Sequence, residues 1–118
     1  INTSANEISP YMVRSGSAVY FSSDRPDTYG GYDIFVASLN DDGSNSTVLN
    51  VGYPINSPGN DTDIELSFDG VFALFSSDRV EGYGGQDLYI AYFKDQVTDQ
   101  LQSTENPPFL SKNNKFKL

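Results

Sequence analysis

Short apolar runs, separated by clusters of Gly, Ser, Asn and Asp, divide this sequence into strand-length pieces. Ala18-Val19-Tyr20-Phe21, Ile34-Phe35-Val36-Ala37, Phe72-Ala73-Leu74-Phe75 and Leu88-Tyr89-Ile90-Ala91-Tyr92-Phe93 contain no polar alternate. A strand with one wet face alternates, so these strands are expected to be covered on both faces. In an antiparallel meander that means sheets stacked face to face. No window repeats apolar residues at helical spacing over several turns, which predicts an all-β chain with almost no helix.

The pattern is written twice. Phe21-Ser22-Ser23-Asp24-Arg25 followed by Tyr29-Gly30-Gly31-x-Asp33 returns as Phe75-Ser76-Ser77-Asp78-Arg79 and Tyr83-Gly84-Gly85-x-Asp87, with the same internal spacing. Aligned without a gap, residues 1–39 and 55–93 share 14 identities in 39 positions. Others are kept in kind, such as Glu7 with Asp61 and Val36 with Ile90. The chain therefore reads as one supersecondary unit in two copies, 1–54 and 55–108, with 109–118 as a tail or linker.

Each unit is expected to hold four short strands. The first lies near Ser9 to Val13, matched by Asp63 to Phe68; the second near Ser17 to Ser22, matched by Val71 to Ser76. Arg14-Ser15-Gly16 and Phe68-Asp69-Gly70 turn between them, and Asp-Gly is a short-hairpin signal. The third strand runs from Asp33 to Leu39, matched by Asp87 to Phe93, and Asn40 to Asn45 is turn chemistry throughout. The fourth runs near Thr47 to Val51, and its partner near Leu101 is poorly defined.

Composition narrows the chemistry. With 7 basic and 16 acidic residues the net charge is -9, which argues against binding phosphate backbones or anionic membrane surfaces. Neither cysteine nor histidine is present, so disulfides, the commonest general base and the commonest zinc ligand are all missing. No apolar run approaches membrane-spanning length. No charged n-region with an apolar core opens the sequence, so a signal peptide is expected to be missing or already removed.

Two readings compete for the duplicated motif. Asp24, Arg25 and Asp33, with Asp78, Arg79 and Asp87, can form a polar rim that meets a ligand, or a structural corner. In the corner the aspartates accept backbone N–H bonds across the long connection and the arginines bridge carboxylates. Duplication favours the corner, because a catalytic site rarely occurs twice while a corner is built in every unit. Gly30-Gly31 and Gly84-Gly85 suggest phosphate cradling, but no helix and no adjacent Lys accompany them. A reversal at positive φ, or close approach of a neighbouring unit, explains them better. Tyr29 and Tyr83 are expected to pack over the corner, with sugar stacking as their alternative use. Asp61, Asp63 and Glu65 alternate, so on a strand they would share one face, as a solvated acidic wall or a Ca²⁺ site. The wall is the better reading, since the glycine of a calcium loop is missing. No catalytic residue, metal or cofactor is assigned.

FSSDR…YGGYDIFVA and FSSDR…YGGQDLYIA resemble the TolB-type, WD-repeat-like β-propeller units of periplasmic and outer-membrane-associated proteins. The likeness spans residues 1–93 and includes Asn60-Asp61 and the Asp69-Gly70 hairpin; the first unit departs from it with Ser15 in place of the aspartate. The resemblance implies two four-stranded antiparallel blades of a propeller, with the acidic wall facing its central channel. It implies a non-enzymatic scaffold in the Gram-negative envelope, binding protein partners and not inserted in the membrane. OmpA-like and tetratricopeptide domains often accompany such propellers. Two blades do not close a ring. The chain is therefore expected to be a segment of a larger propeller, or else one of several copies that assemble. Rival readings are a substrate-gating domain of a peptidase, with no Gly-x-Ser-x-Gly elbow or His of its own, and a glycan-binding module using the tyrosines.

Overall fold

The computed structural model describes residues 1–93 and the backbone pairing of 116–117. Every described element is a strand: β1 (Glu7–Met12), β2 (Ala18–Ser23), β3 (Asp33–Leu39), β4 (Asn45–Asn50), β5 (Asp61–Leu66), β6 (Phe72–Ser77), β7 (Asp87–Tyr92) and β8 (Phe116–Lys117). They form two antiparallel sheets in sequence order, β1-β2-β3-β4 and β5-β6-β7-β8. The two sheets are not equal, which corrects the expectation of two matched four-stranded units. The second has three strands of six residues, and its fourth member is only the two-residue β8, paired to Tyr89 and Ile90. The strand expected near Leu101 lies outside the described residues.

The hairpins open as the turn residues dictate, with one refinement. The Gly16 and Gly70 N–H groups bond back to the Val13 and Ser67 carbonyls, each at 2.9 Å, and both glycines sit at positive φ, 76° and 74°. The Asp-Gly pair therefore closes a longer turn rather than forming a two-residue loop. Asp69 caps it, accepting from Val71 N–H at 3.0 Å and from Ser67 Oγ at 2.7 Å.

β1 and β5 share an irregularity that no hydrophobic pattern announces. The register against β2 slips between Ile8 and Tyr11, and against β6 between Thr62 and Glu65. The extra residue is Ser9 in one and Asp63 in the other, both left-handed, at φ 53° and 59°. Such a bulge bends the strand and re-aims its side chains.

β5 packs against β1, β2 and β3, bringing the sheets together face to face. Ile34, Ile55, Ile64, Ala73, Phe75, Tyr89 and Ala91 form the core between them, with Tyr20, Val51, Leu66 and Phe93 at its margin. A smaller cluster of Phe21, Phe35 and Ala37 lies on the other face of the first sheet, partly sheltered by Ile1, Val19 and Val48. Phe21 stacks on Phe35 and Phe75 on Tyr89, each pair with centroids 5.8 Å apart. Among the described residues the first sheet is packed by the second on one face. Its other face has only Ile1, Val19 and Val48 beside the cluster of Phe21, Phe35 and Ala37 and no sheet against it, short of the cover on both faces that its unalternated strands lead one to expect. Among the described residues the second is covered on one: Phe72 and Leu88 on its far face are 41% and 48% exposed.

Candidate functional site

Each sheet holds a knot of polar groups where the chain enters it. In the second sheet the centre is Arg79, 4% exposed. Its Nε donates to Ser77 Oγ at 3.0 Å and Nη1 to the Pro54 carbonyl at 2.9 Å. Nη2 donates to Asp61 Oδ1 at 3.0 Å and to the Ile55 carbonyl. The guanidinium lies over the rings of Phe75 and Tyr89, 5.3 and 4.8 Å from their centroids. Asp61 is fully buried and also accepts Ser57 N–H at 2.7 Å and Ser77 Oγ at 2.6 Å. A buried ion pair is tolerable only when its other polar atoms find partners, and here every side-chain nitrogen and oxygen of the pair has at least one.

The first sheet repeats the knot in a looser form. Arg25 donates to Ser23 Oγ at 3.1 Å, to the Ile1 carbonyl at 2.9 Å and to Glu7 Oε1 at 3.2 Å, below the rings of Phe21 and Phe35, each 4.9 Å away. Thr3 stands in for Ser57, its N–H 3.0 Å from Glu7 Oε2. The Arg25 and Glu7 side chains remain 14% and 12% exposed, against 2% and 0% for Arg79 and Asp61. Water therefore screens the first pair more than the second.

The aspartates of the motif divide between two jobs. Asp33 and Asp87 do span the long connection, accepting Tyr29 N–H at 2.8 Å and Tyr83 N–H at 2.7 Å. Asp24 and Asp78 instead hold the residue before the first strand of their own sheet. Asp78 takes Asn60 N–H at 2.6 Å and Nδ2 at 2.9 Å, and Asp24 takes the same groups of Asn6, both at 2.9 Å. The bridged carboxylates are Glu7 and Asp61, one to each arginine.

Two asparagines fasten the sheets to each other, and motif reading does not single them out for this. With its amide pinned by Asp78, Asn60 Oδ1 accepts Tyr32 N–H at 3.0 Å, beside an Asp61 N–H to Tyr32 carbonyl bond of 2.7 Å. Asn56, 1% exposed, accepts Ile34 N–H at 2.7 Å and donates to the Ile34 carbonyl and to Asn50 Oδ1, both at 2.8 Å. Its side chain prolongs the β3–β4 ladder after Val51. The only sequence signal was their place: Asn2 and Asn6 recur as Asn56 and Asn60 outside any strand.

The Gly-Gly pairs serve differently in the two copies. A Cβ on Gly30 would stand 1.9 Å from the Pro58 carbonyl oxygen, and one on Gly31 2.0 Å from Asn60 Oδ1. Close approach of the second unit is what forbids side chains there. Gly84 and Gly85 take φ of 120° and 45°, with no described residue within 4 Å of an added Cβ. Gly30→Ala is therefore expected to separate the sheets locally and cost about 1–3 kcal/mol. Gly43→Ala sits in an open turn at φ 85°, where only backbone strain of about 1–2 kcal/mol applies. Chemical denaturation compares the two. The distinguishing sign is loss of amide protection at Tyr32 and Asp61, whose N–H groups bond across the sheets, in the first variant only.

Tyr29 and Tyr83 do not pack over the corner; they are 58% and 92% exposed. The acidic wall is also corrected. Asp61 is buried in the knot, while Asp63 and Glu65 face solvent, because the bulge at Asp63 breaks the strand alternation. Asp63 accepts Ser9 Oγ from the first sheet at 2.6 Å. Among the described residues no three carboxylates converge as a metal site.

Hydrogen bonds hold most of these acids below their ordinary range. Asp78 is lowered by Asn60, Asp24 by Asn6, Glu7 by Thr3 and Asp63 by Ser9; Asp42 and Asp69 are lowered by Ser44 and Ser67 in their turns. Asp33 goes the other way: burial raises it, and the Tyr29 N–H and Asn50 amide offset this only in part. Its Oδ1 meets no partner among the described residues. Lowered acids stabilise the fold above their unfolded pKa and lose that contribution as the pH falls through the folded one. Asp33 contributes in the opposite sense, favouring the fold when protonated. Melting temperature should therefore fall as pH is lowered through about 4, and Asp33→Asn should make the fall steeper. A melting temperature that rises on acidification would contradict this assignment.

Comparison with protein-family models, with curated proteins and with solved structures returns no match.

Proposed function

We propose that the chain forms two neighbouring blades of a β-propeller, and that it works as a non-enzymatic scaffold binding protein partners in the bacterial envelope. The observation that carries the reading is the face-to-face packing of two sheets whose corner residues recur in the same order, Asp24 and Arg25 as Asp78 and Arg79. Blades are sheets of this kind set side by side around an axis. The residues best suited to chemistry are spent on architecture: Asp61 and Arg79 are buried and bonded on every side. The envelope location and the propeller both rest on the resemblance to TolB-type repeats. No helix among the described residues is long and apolar enough to cross a membrane.

The test places a photo-crosslinking amino acid at Phe68, 81% exposed at a hairpin tip, in the gene product expressed in a Gram-negative bacterium. The expected result is a discrete heavier band of two polypeptides in the periplasmic or outer-membrane fraction. Recovery only in the cytoplasm, or no adduct, would contradict the proposal. The exposed Tyr29 and Tyr83 favour one second reading, a glycan-binding module. Retention on a polysaccharide column that vanishes in Tyr29→Ala/Tyr83→Ala would support it instead. The third reading, a gate for a fused hydrolase, calls for a peptidase domain in the same open reading frame.

A further inference from the structure

The packed interface between the sheets has two sides, and among the described residues each side occurs a second time with no sheet packed on it. On the first sheet the side facing the second is centred on Ile34, which is fully buried; its counterpart in the other copy, Leu88, is 48% exposed. On the second sheet the side facing the first is centred on Ile64, 2% exposed, with Asn56 at 1%. Their counterparts in the first copy, Pro10 and Asn2, are both exposed. The polar half of the interface is duplicated too. Asn6 is held by Asp24 through its N–H and Nδ2, as Asn60 is by Asp78, which leaves Oδ1 turned to the same task. In the closed interface that oxygen takes the N–H of Tyr32. The matching residue on the open face is Gln86, which is exposed.

We propose that the open face around Leu88 docks the open face around Asn2, Asn6 and Pro10 of a second copy of this chain, head to tail. It repeats the contact already made within the molecule. Leu88 would take the place of Ile34, Asn2 would clip its backbone as Asn56 clips Ile34, and Asn6 would accept from Gln86 N–H. A stacked apolar sheet face of this kind is a candidate for burial, because soluble chains rarely leave one open. The occupant is a second copy because the mating surface, asparagine for asparagine, is written at residues 2–10 of the same sequence. Such an interface is heterologous: each copy offers two different patches, so association continues until a ring closes or a filament grows. The proposal rests on the sheet stacking behind the blade reading, and the experiment separates the two.

Sedimentation velocity of the 118-residue protein across micromolar concentrations is expected to show oligomers growing with concentration. Leu88→Asp spoils one patch and Pro10→Glu the other, and each variant alone should remain monomeric. Mixed in equal amounts, they retain one good patch each and should form a dimer that grows no further. Should either substitution unfold the chain by circular dichroism, Leu88→Ser and Asn2→Asp replace them. A wild type that stays monomeric would overturn the docking, yet leave the blade reading open for blades within one longer chain. Variants that still assemble, or a mixture that stays monomeric, would also overturn it. Electron microscopy of the wild-type oligomer then judges the blades: closed rings uphold both ideas, and open filaments uphold the docking while contradicting the ring.

Discussion

Arg79→Ala is expected to lower the unfolding free energy by about 3–5 kcal/mol, the largest loss at any one polar side chain among the described residues. Removal of the guanidinium leaves the Asp61 carboxylate buried without its counter-charge. It also strips the Pro54 and Ile55 carbonyls of their donor and the Phe75 and Tyr89 rings of their cation. Asp61→Ala should be nearly as harmful alone. The double variant should lose clearly less than the two added together, because neither partner is then stranded. Arg25→Ala is the internal control. Its pair with Glu7 is more exposed, so the loss should be smaller than for Arg79. Urea unfolding of the four variants measures this. Equal losses at Arg25 and Arg79 would show that burial of the second knot is not what sets its strength.

Asn56→Ala should cost about 1–3 kcal/mol, since it leaves the buried Ile34 N–H without a partner, while the Ile34 carbonyl keeps the Val51 N–H at 3.1 Å. Its counterpart in the first unit supplies the contrast. Asn2 is exposed in the single chain, and at dilutions where the chain is monomeric Asn2→Ala should stay within about 0.5 kcal/mol. The same residue type at the same place in the repeat thus differs in effect because one copy has a neighbouring sheet and the other does not. Thermal denaturation of both variants is the check. A stable Asn56→Ala protein would mean that the sheets are held by the apolar core alone.

Most of the second and third strands could be read from the sequence, because Ala18 to Phe21 and Leu88 to Phe93 are unbroken apolar runs of strand length. The cover on both faces that they lead one to expect is not met at Phe72 and Leu88 among the described residues. The arginine corner was legible for a different reason: Ser-Asp-Arg recurs with fixed spacing, and a short aspartate next to a turn has few other uses. What could not be read are the contacts that depend on a residue in the other unit. Nothing local to Gly30 says that Pro58 lies against it, and nothing local to Asn56 says that Ile34 needs its amide. The bulges were hidden because Ser9 and Asp63 are ordinary strand-surface residues whose left-handed φ is imposed by the bend. That bend is also why Asp61 turned inward while Asp63 and Glu65 did not. The exposure of Tyr29 and Tyr83 was not legible, because whether an aromatic beside a glycine pair is buried depends on what the fold places over it.

The claim beneath all of these effects is that residues 1–54 and 55–93 are stacked sheets joined by hydrogen bonds that cross between them. Native-state amide exchange at Tyr32, Ile34 and Asp61 tests it most directly, since each N–H bonds to a group in the other unit. These three amides should be protected as strongly as Phe75 in the centre of β6, and all three should lose that protection together in Asn56→Ala. Exchange of Tyr32, Ile34 and Asp61 at the rate of an exposed loop, with Phe75 still protected, would mean that the two sheets fold separately and do not stack.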